Sequence, residues 1–297
     1  MRMLKVLVAL AFIGLVVFWL VTIPKTTNSD EIAGLVGDPV AGELVFTAAG
    51  CASCHSAPGA EGEAKLELAG GRSFSSDFGT FYAPNISPDP TEGIGSWDTI
   101  DLVNALKHGT SPDRQHYYPA FPYTTYTHAS LQDIVSLAAY LGTLPPVATP
   151  SKPHDVGFPF NIRRTLGGWK FLFMNEGWVL QDAPTPEIER GRYLVEALAH
   201  CGECHTPRNA LGGMQMSKWL AGGPNPSGQG TIPNITPGAL DWSDEDIKNY
   251  LTTGFTPDFD TVGGEMVEVV DNMAQLPEED VRAIVAYLKA VPAVSNP

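Results

Sequence analysis

Hydrophobic and polar positions sort the chain into an uncharged run, short amphipathic stretches, and loops rich in Gly and Pro. The uncharged run extends from Val6 to Ile23, behind Arg2 and Lys5. Its 18 residues span about 27 Å as a helix, close to the hydrocarbon thickness of a bilayer. A cleaved signal sequence is the competing reading. It calls for a shorter apolar stretch and a small-x-small site, whereas Trp19-Leu-Val-Thr-Ile-Pro24 follows here. An uncleaved anchor over residues 1–24 is therefore expected. The basic flank puts the N-terminus in the cytoplasm and everything after Pro24 in the periplasm, on a single pass through the cytoplasmic membrane.

The amphipathic stretches come in matched pairs. Ala41 to Ala49 pairs with Glu189 to Leu198, Thr99 to Lys107 with Asp244 to Leu251, and Leu131 to Leu141 with Pro277 to Leu288. Between them no strand-like alternation stands out. Local motifs repeat in step: Pro84-Asn-Ile-Ser-Pro88 with Pro233-Asn-Ile-Thr-Pro237, Trp97 with Trp242, Gly109-Thr-Ser-Pro-Asp113 with Gly254-Phe-Thr-Pro-Asp258, and Ala139-Tyr-Leu141 with Ala286-Tyr-Leu288. The chain thus reads as a duplicated helical unit, one copy over 36–148 and the other over 185–297. The segment 149–184 joins them. It carries Phe158, Phe160, Trp169, Phe171, Phe173 and Trp178, too aromatic for a solvated linker, and is expected to pack on both units. Short helices with long loops make a poor core unless a large apolar cofactor fills the centre.

Of the 297 residues, 43% are hydrophobic and 17% charged, as in globular proteins. A formal net charge of −15 argues against nucleic acid and anionic headgroups as partners, and for a partner with a basic docking face.

All four cysteines fall in two motifs, Cys51-Ala-Ser-Cys54-His55 and Cys201-Gly-Glu-Cys204-His205. Cys-x-x-Cys-His is the attachment signal of c-type haem. Two thiols on one helical turn reach the two vinyl groups, and the next histidine lies under the iron. Zinc binding or a redox disulfide would use the same Cys-x-x-Cys spacing. Two copies at matching places behind an export segment favour two covalent haems c, with His55 and His205 as proximal ligands.

The sixth ligand comes from a later loop, as methionine or histidine. Met266, in Val262-Gly-Gly-Glu-Met266, is the choice for the second unit, with Met273 the alternative. The first unit has no methionine, and the ungapped repeat sets Phe121 opposite Met266. A phenyl ring has no lone pair for iron. His116 is then the first choice, His128 the second and an open iron the third. Arg163, Arg164, Arg208, Trp97 and Trp242 are the expected donors to haem propionates.

These motifs carry a resemblance. Cys51-x-x-Cys54-His55, Asn85-Ile-Ser-Pro88 through Gly95-x-Trp97, Tyr118-Pro-Ala-Phe-Pro-Tyr123 and the second-unit set resemble the membrane-bound multihaem cytochrome c subunits of bacterial alcohol, aldehyde and sugar-acid dehydrogenases. The resemblance covers essentially the whole exported part. It implies an all-α protein with an N-terminal transmembrane helix and two tandem cytochrome c-type domains. In that family a methionine commonly stands where Phe121 does and ligates the iron, and three haems are typical where this chain has two. The expected role is electron transfer, not catalysis, from a dehydrogenase to a terminal oxidase or soluble cytochrome. A haem enzyme acting on a small molecule at an open first iron is the rival reading.

Overall fold

A computed structural model of the chain describes residues 1–225, 228 and 230–295. Helix α1 (Arg2–Val21) is 20 residues long and buries none of them. It is the one described helix long and apolar enough to cross a membrane. It ends at Thr22, which is fully buried against the folded part.

Each unit is built around one helix crossing. In the first, α2 (Pro39–Ala48) crosses α6 (Leu131–Leu141), with the CxxCH turn α3 (Cys51–His55), α4 (Thr99–His108) and the one-turn α5 (Tyr123–Tyr126) around it. In the second, α8 (Pro186–Tyr193) crosses α12 (Glu278–Ala290), with α9 (Cys201–His205), α10 (Asp244–Thr253) and α11 (Met266–Met273). A nine-residue helix of the connector, α7 (Thr165–Phe173), lies between the units in sequence.

Local chemistry sets these ends. Asp38 caps α2 and Thr185 caps α8, each followed by proline at the first helical position. Reciprocal capping boxes, Asp98 with Asp101 and Ser243 with Asp246, open α4 and α10. Gly109 and Gly254, at φ 57° and 78°, close the same two helices in the left-handed region. At the crossings the helices meet backbone to side chain. A Cβ on Gly42 would stand 2.0 Å from Ser136 O, and one on Gly191 would stand 1.9 Å from Ala283 O.

Two small antiparallel hairpins depart from the strand-free expectation: β1 (Ser73–Ser76) with β2 (Gly79–Tyr82), and β3 (Gly223–Pro224) with β4 (Thr231–Ile232). Strands of two to four residues are too short to show a period. Helix α8 also runs on into a π turn, Leu194–Leu198, that has no counterpart after α2. Inside that turn the buried Glu196 accepts Tyr287 Oη–H at 2.6 Å, Val179 N–H at 2.6 Å and Leu180 N–H at 3.1 Å. Trp219 Nε1–H in turn donates to Tyr287 Oη at 2.9 Å.

The connector divides in its behaviour. Trp169 donates its indole N–H to Leu211 O of the second unit at 2.8 Å and meets Tyr123 of the first edge-on at 6.5 Å. Trp178 stacks on His128 at 4.9 Å and faces Tyr193 at 6.5 Å. These two tryptophans bridge the units. Phe158, Phe160 and Phe171 instead stay exposed, against the expectation that the aromatic residues pack throughout.

Candidate functional site

Both CxxCH motifs form a single helical turn entered through a left-handed residue, Gly50 at φ 62° and His200 at φ 44°. The two histidines are held alike. His55 Nδ1–H donates to Pro84 O, and His205 Nδ1–H to Pro233 O, both at 2.8 Å. The two prolines open the repeated Pro-Asn-Ile motif, which gives that motif its purpose. Fixing the proton on Nδ1 leaves the Nε2 lone pair for iron. Burial lowers the pKa of both imidazoles and so favours the neutral form that a metal needs. Asn85 and Asn234 brace the motif by accepting Ser87 N–H at 2.8 Å and Thr236 N–H at 2.9 Å.

The thiols speak against the rival chemistries. Burial pushes Cys51 and Cys201 up to about 12, and Cys204 to about 11. Redox-active Cys-x-x-Cys pairs need the opposite, a stabilised thiolate, and among the described residues no three His, Cys, Asp or Glu side chains are grouped to hold a metal ion. Neutral sulfurs beside a backbone-oriented histidine fit thioether attachment of haem.

The loops expected to supply a sixth ligand match in conformation. Tyr117 N–H donates to Gly109 O at 2.7 Å, and Val262 N–H to Gly254 O at 2.7 Å. Further on, Thr127 N–H to Tyr123 O matches Ala274 N–H to Val270 O, so the offset between units rises by two residues in between. Met266 faces Phe121 in the first register and Pro119 in the second, and neither brings sulfur. Phe121 lies among Tyr117, Tyr123 and Tyr126 at 5.7, 6.3 and 5.8 Å. Tyr126 Oη–H donates to Ala49 O, two residues before Cys51. Met266 is half-buried, whereas Met273 is buried core at the place Tyr126 holds in the first unit.

His116 is held elsewhere. Its Nε2 pairs with Thr22 O at 3.0 Å and its Nδ1 lies 3.1 Å from Lys170 Nζ, so the end of α1 and helix α7 occupy both nitrogens. Ligation of iron by either nitrogen would replace the partner that nitrogen has here. His128 Nδ1 pairs with Thr125 O and its Nε2 with Gly177 O.

The arginines separate too. Arg163 donates to His116 O at 2.8 Å, and Arg164 to Thr22 Oγ1 at 2.8 Å and Trp19 O at 2.7 Å. Arg164 thus holds the end of α1, while Arg163 holds the His116 carbonyl and lies over the Tyr118 ring at 4.5 Å. Arg208 lies at its motif, donating to Glu203 O at 2.9 Å and Glu203 Oε2 at 2.5 Å. Arg72, which no sequence pattern singles out, does the same for the first motif, donating to Ser53 O at 2.5 Å. Trp97 and Trp242 are half-buried, and Trp242 packs on Tyr250 at 5.3 Å.

The two sites touch. Asn272 of α11 donates to Ser53 Oγ, between the first pair of cysteines, at 2.8 Å. Thr125 of α5 donates to Glu203 Oε1, between the second pair, at 3.2 Å, and Thr124 to the same oxygen at 2.5 Å. Glu203 is the repeat partner of Ser53, and Asn272 that of Thr125. The contacts are therefore reciprocal, each unit's ligand loop resting on the other's attachment turn, as across a twofold axis. Nothing local in the sequence announces this.

Comparison with known proteins agrees with the duplication. Residues 39–145 match the family described as cytochrome c, and residues 186–288 the family described as cytochrome c oxidase, cbb3-type, subunit III. The chain is 59% identical to a di-haem c-type cytochrome of Cereibacter sphaeroides over 93% of each chain. It is 42% identical to the fructose dehydrogenase cytochrome subunit of Gluconobacter japonicus, over 85% of this chain and 52% of that one. It is 35% identical to the gluconate 2-dehydrogenase cytochrome c subunit of Pantoea cypripedii, over 85% of this chain and 59% of that one. The chain thus spans somewhat over half the length of those two dehydrogenase subunits.

Proposed function

We propose, since the chain belongs to the family of di-haem c-type cytochromes that includes the cytochrome subunits of bacterial dehydrogenases, that it passes electrons from a dehydrogenase to an oxidase or soluble carrier on the periplasmic side of the membrane. The observation that carries the reading is the reciprocal contact of two equivalent CxxCH sites, each with a backbone-oriented histidine.

In this reading Cys51, Cys54 and His55 hold one haem c, and Cys201, Cys204 and His205 the other. The haem supplies one-electron chemistry; the protein supplies spacing, burial and axial ligation. Pro84 and Pro233 orient the proximal imidazoles. Met266 supplies sulfur to the second site. The first site lacks a sulfur ligand, with Phe121 and its tyrosine neighbours shielding that side from water. Helix α1 crosses the membrane once, with the N-terminus in the cytoplasm.

The test is reduction of both haems, in membranes, by the dehydrogenase that co-purifies with the chain. Stopped-flow spectra should show both reduced within one turnover of that enzyme. Reduction of neither, with turnover intact, would overturn the proposal. Turnover of a small molecule by the isolated chain would favour the enzyme reading instead.

A further inference from the structure

Helix α1 does not leave the protein as a loose tether. Thr22 at its end packs so closely on α7 that a Cβ on Gly167 would stand 2.7 Å from Thr22 Cα. Arg164 of the connector lies 4.1 Å over the Trp19 ring while bonding Trp19 O and Thr22 Oγ1. Twenty helical residues are about 30 Å long, the thickness of the hydrocarbon core. Whatever packs at Thr22 therefore lies at the level of the lipid headgroups.

What packs there is unusual for this chain. Although the protein has 33 acidic residues, none occurs between Asp155 and Glu176. The three cations of that stretch turn inward: Arg163 to His116 O, Arg164 to the end of α1, and Lys170 to His108 O and Gly109 O at 2.6 and 2.7 Å. Five of its large apolar side chains turn outward. Phe158, Phe171 and Leu172 are 82%, 72% and 64% exposed, and Phe160 and Ile162 are exposed beside them. Leu211, whose carbonyl Trp169 holds, is exposed as well.

We propose that this face, α7 with the preceding segment 158–162, is a second membrane contact that beds into the outer interface of the bilayer beside α1. The proposal rests on the reading that α1 spans the membrane. Lipid is the occupant that these features favour, because the patch is continuous with the end of a membrane-length helix, lacks acidic groups and exposes Phe and Leu as interfacial helices do. Two attachments in place of one fix how the haem units stand on the membrane.

The full holoprotein tests this. Its four native cysteines are consumed as thioethers, so one added cysteine can carry a fluorophore alone. Leu172→Cys and Phe171→Cys report on the patch, Leu10→Cys on α1, and Glu245→Cys, at an acidic helix start, on solvated surface. Each is reconstituted in phosphatidylcholine vesicles containing lipids spin-labelled at shallow or deep positions. Shallow label should quench the Leu172 and Phe171 probes at least about twofold more than the Glu245 probe, and deep label should quench Leu10. If Leu10 is quenched but Leu172 and Phe171 match Glu245, the patch is no lipid contact and the proposal falls. If Leu10 also matches Glu245, the spanning reading has failed beneath it.

Discussion

Adding one methyl group at Gly191 should unfold the second unit at much lower temperature. The new Cβ would stand 1.9 Å from Ala283 O, 2.6 Å from Ala283 C and 2.8 Å from Tyr287 Cβ. Ordinary contact between carbon and its neighbours is about 3.5 Å, so α8 would have to back away from α12 by over about 1 Å. A gap of that size forfeits about a quarter to a half of the attraction between the packed atoms. The side chains affected include Leu194, Val195, Ile284 and Tyr287, all buried. Overpacking costs typically about 1–3 kcal/mol, and a clash with backbone on a rigid helix belongs at the upper end. For a unit of about 100 residues, 3 kcal/mol lowers Tm by about 12–24 °C. Gly42→Ala, 2.0 Å from Ser136 O, should act alike on the first unit. Gly168→Ala is the control: nothing lies within 4 Å of its Cβ on helix α7, and the substitution should gain up to about 1 kcal/mol. Thermal melts of the solubilised holoprotein, followed by circular dichroism, read all three. A Gly191→Ala melt within about 3 °C of the parent, or an equal loss from Gly168→Ala, would show that close approach at the crossing does not limit stability.

Three other substitutions address the sites. Met266→Ala should abolish the charge-transfer absorption of sulfur-ligated ferric haem and lower the potential of one haem, while Phe121→Met should create a second such site; redox titration followed by absorbance checks both. His116→Ala should leave the first haem's spin state unchanged and loosen the end of α1, giving faster proteolysis between Ile23 and Thr27. Conversion to high spin would instead show that His116 reaches the iron once haem is bound. Glu196→Ala strips the acceptor from buried Tyr287 Oη and from Val179 and Leu180 N–H, and should cost about 2–4 kcal/mol in urea unfolding.

The helices were legible because their signals are local. Pro39 after Asp38, Ser243 three residues before Asp246, and Gly254 at a left-handed C-cap each act within a turn of the chain. CxxCH is legible for the same reason, since five consecutive residues carry the attachment chemistry. Arginine is different: its sequence neighbourhood does not say which carbonyl the guanidinium will reach. Arg163 went to the His116 carbonyl, Arg164 to the end of α1 and Arg72 to the first motif, by tertiary placement alone. The aromatic connector was half legible, because composition shows that aromatic rings seek cover but not which cover. Trp169 and Trp178 found the two units, whereas Phe158 and Phe171 face outward. Asn272 against Ser53 spans more than two hundred residues and leaves no local trace.

That reciprocal contact has a consequence for the direction of traffic. In a dimer of identical chains every substitution is felt twice, and a hop from left to right has the same free energy as its reverse. Fusion into one chain removes that degeneracy. Here one contact is a neutral pair, Asn272 with Ser53, while its counterpart carries the Glu203 carboxylate with Arg208 and two threonines. Each half of the interface can then be tuned by mutation without disturbing the other, and the two redox centres acquire separate surroundings. A preferred sense of flow between them becomes something that the gene can encode.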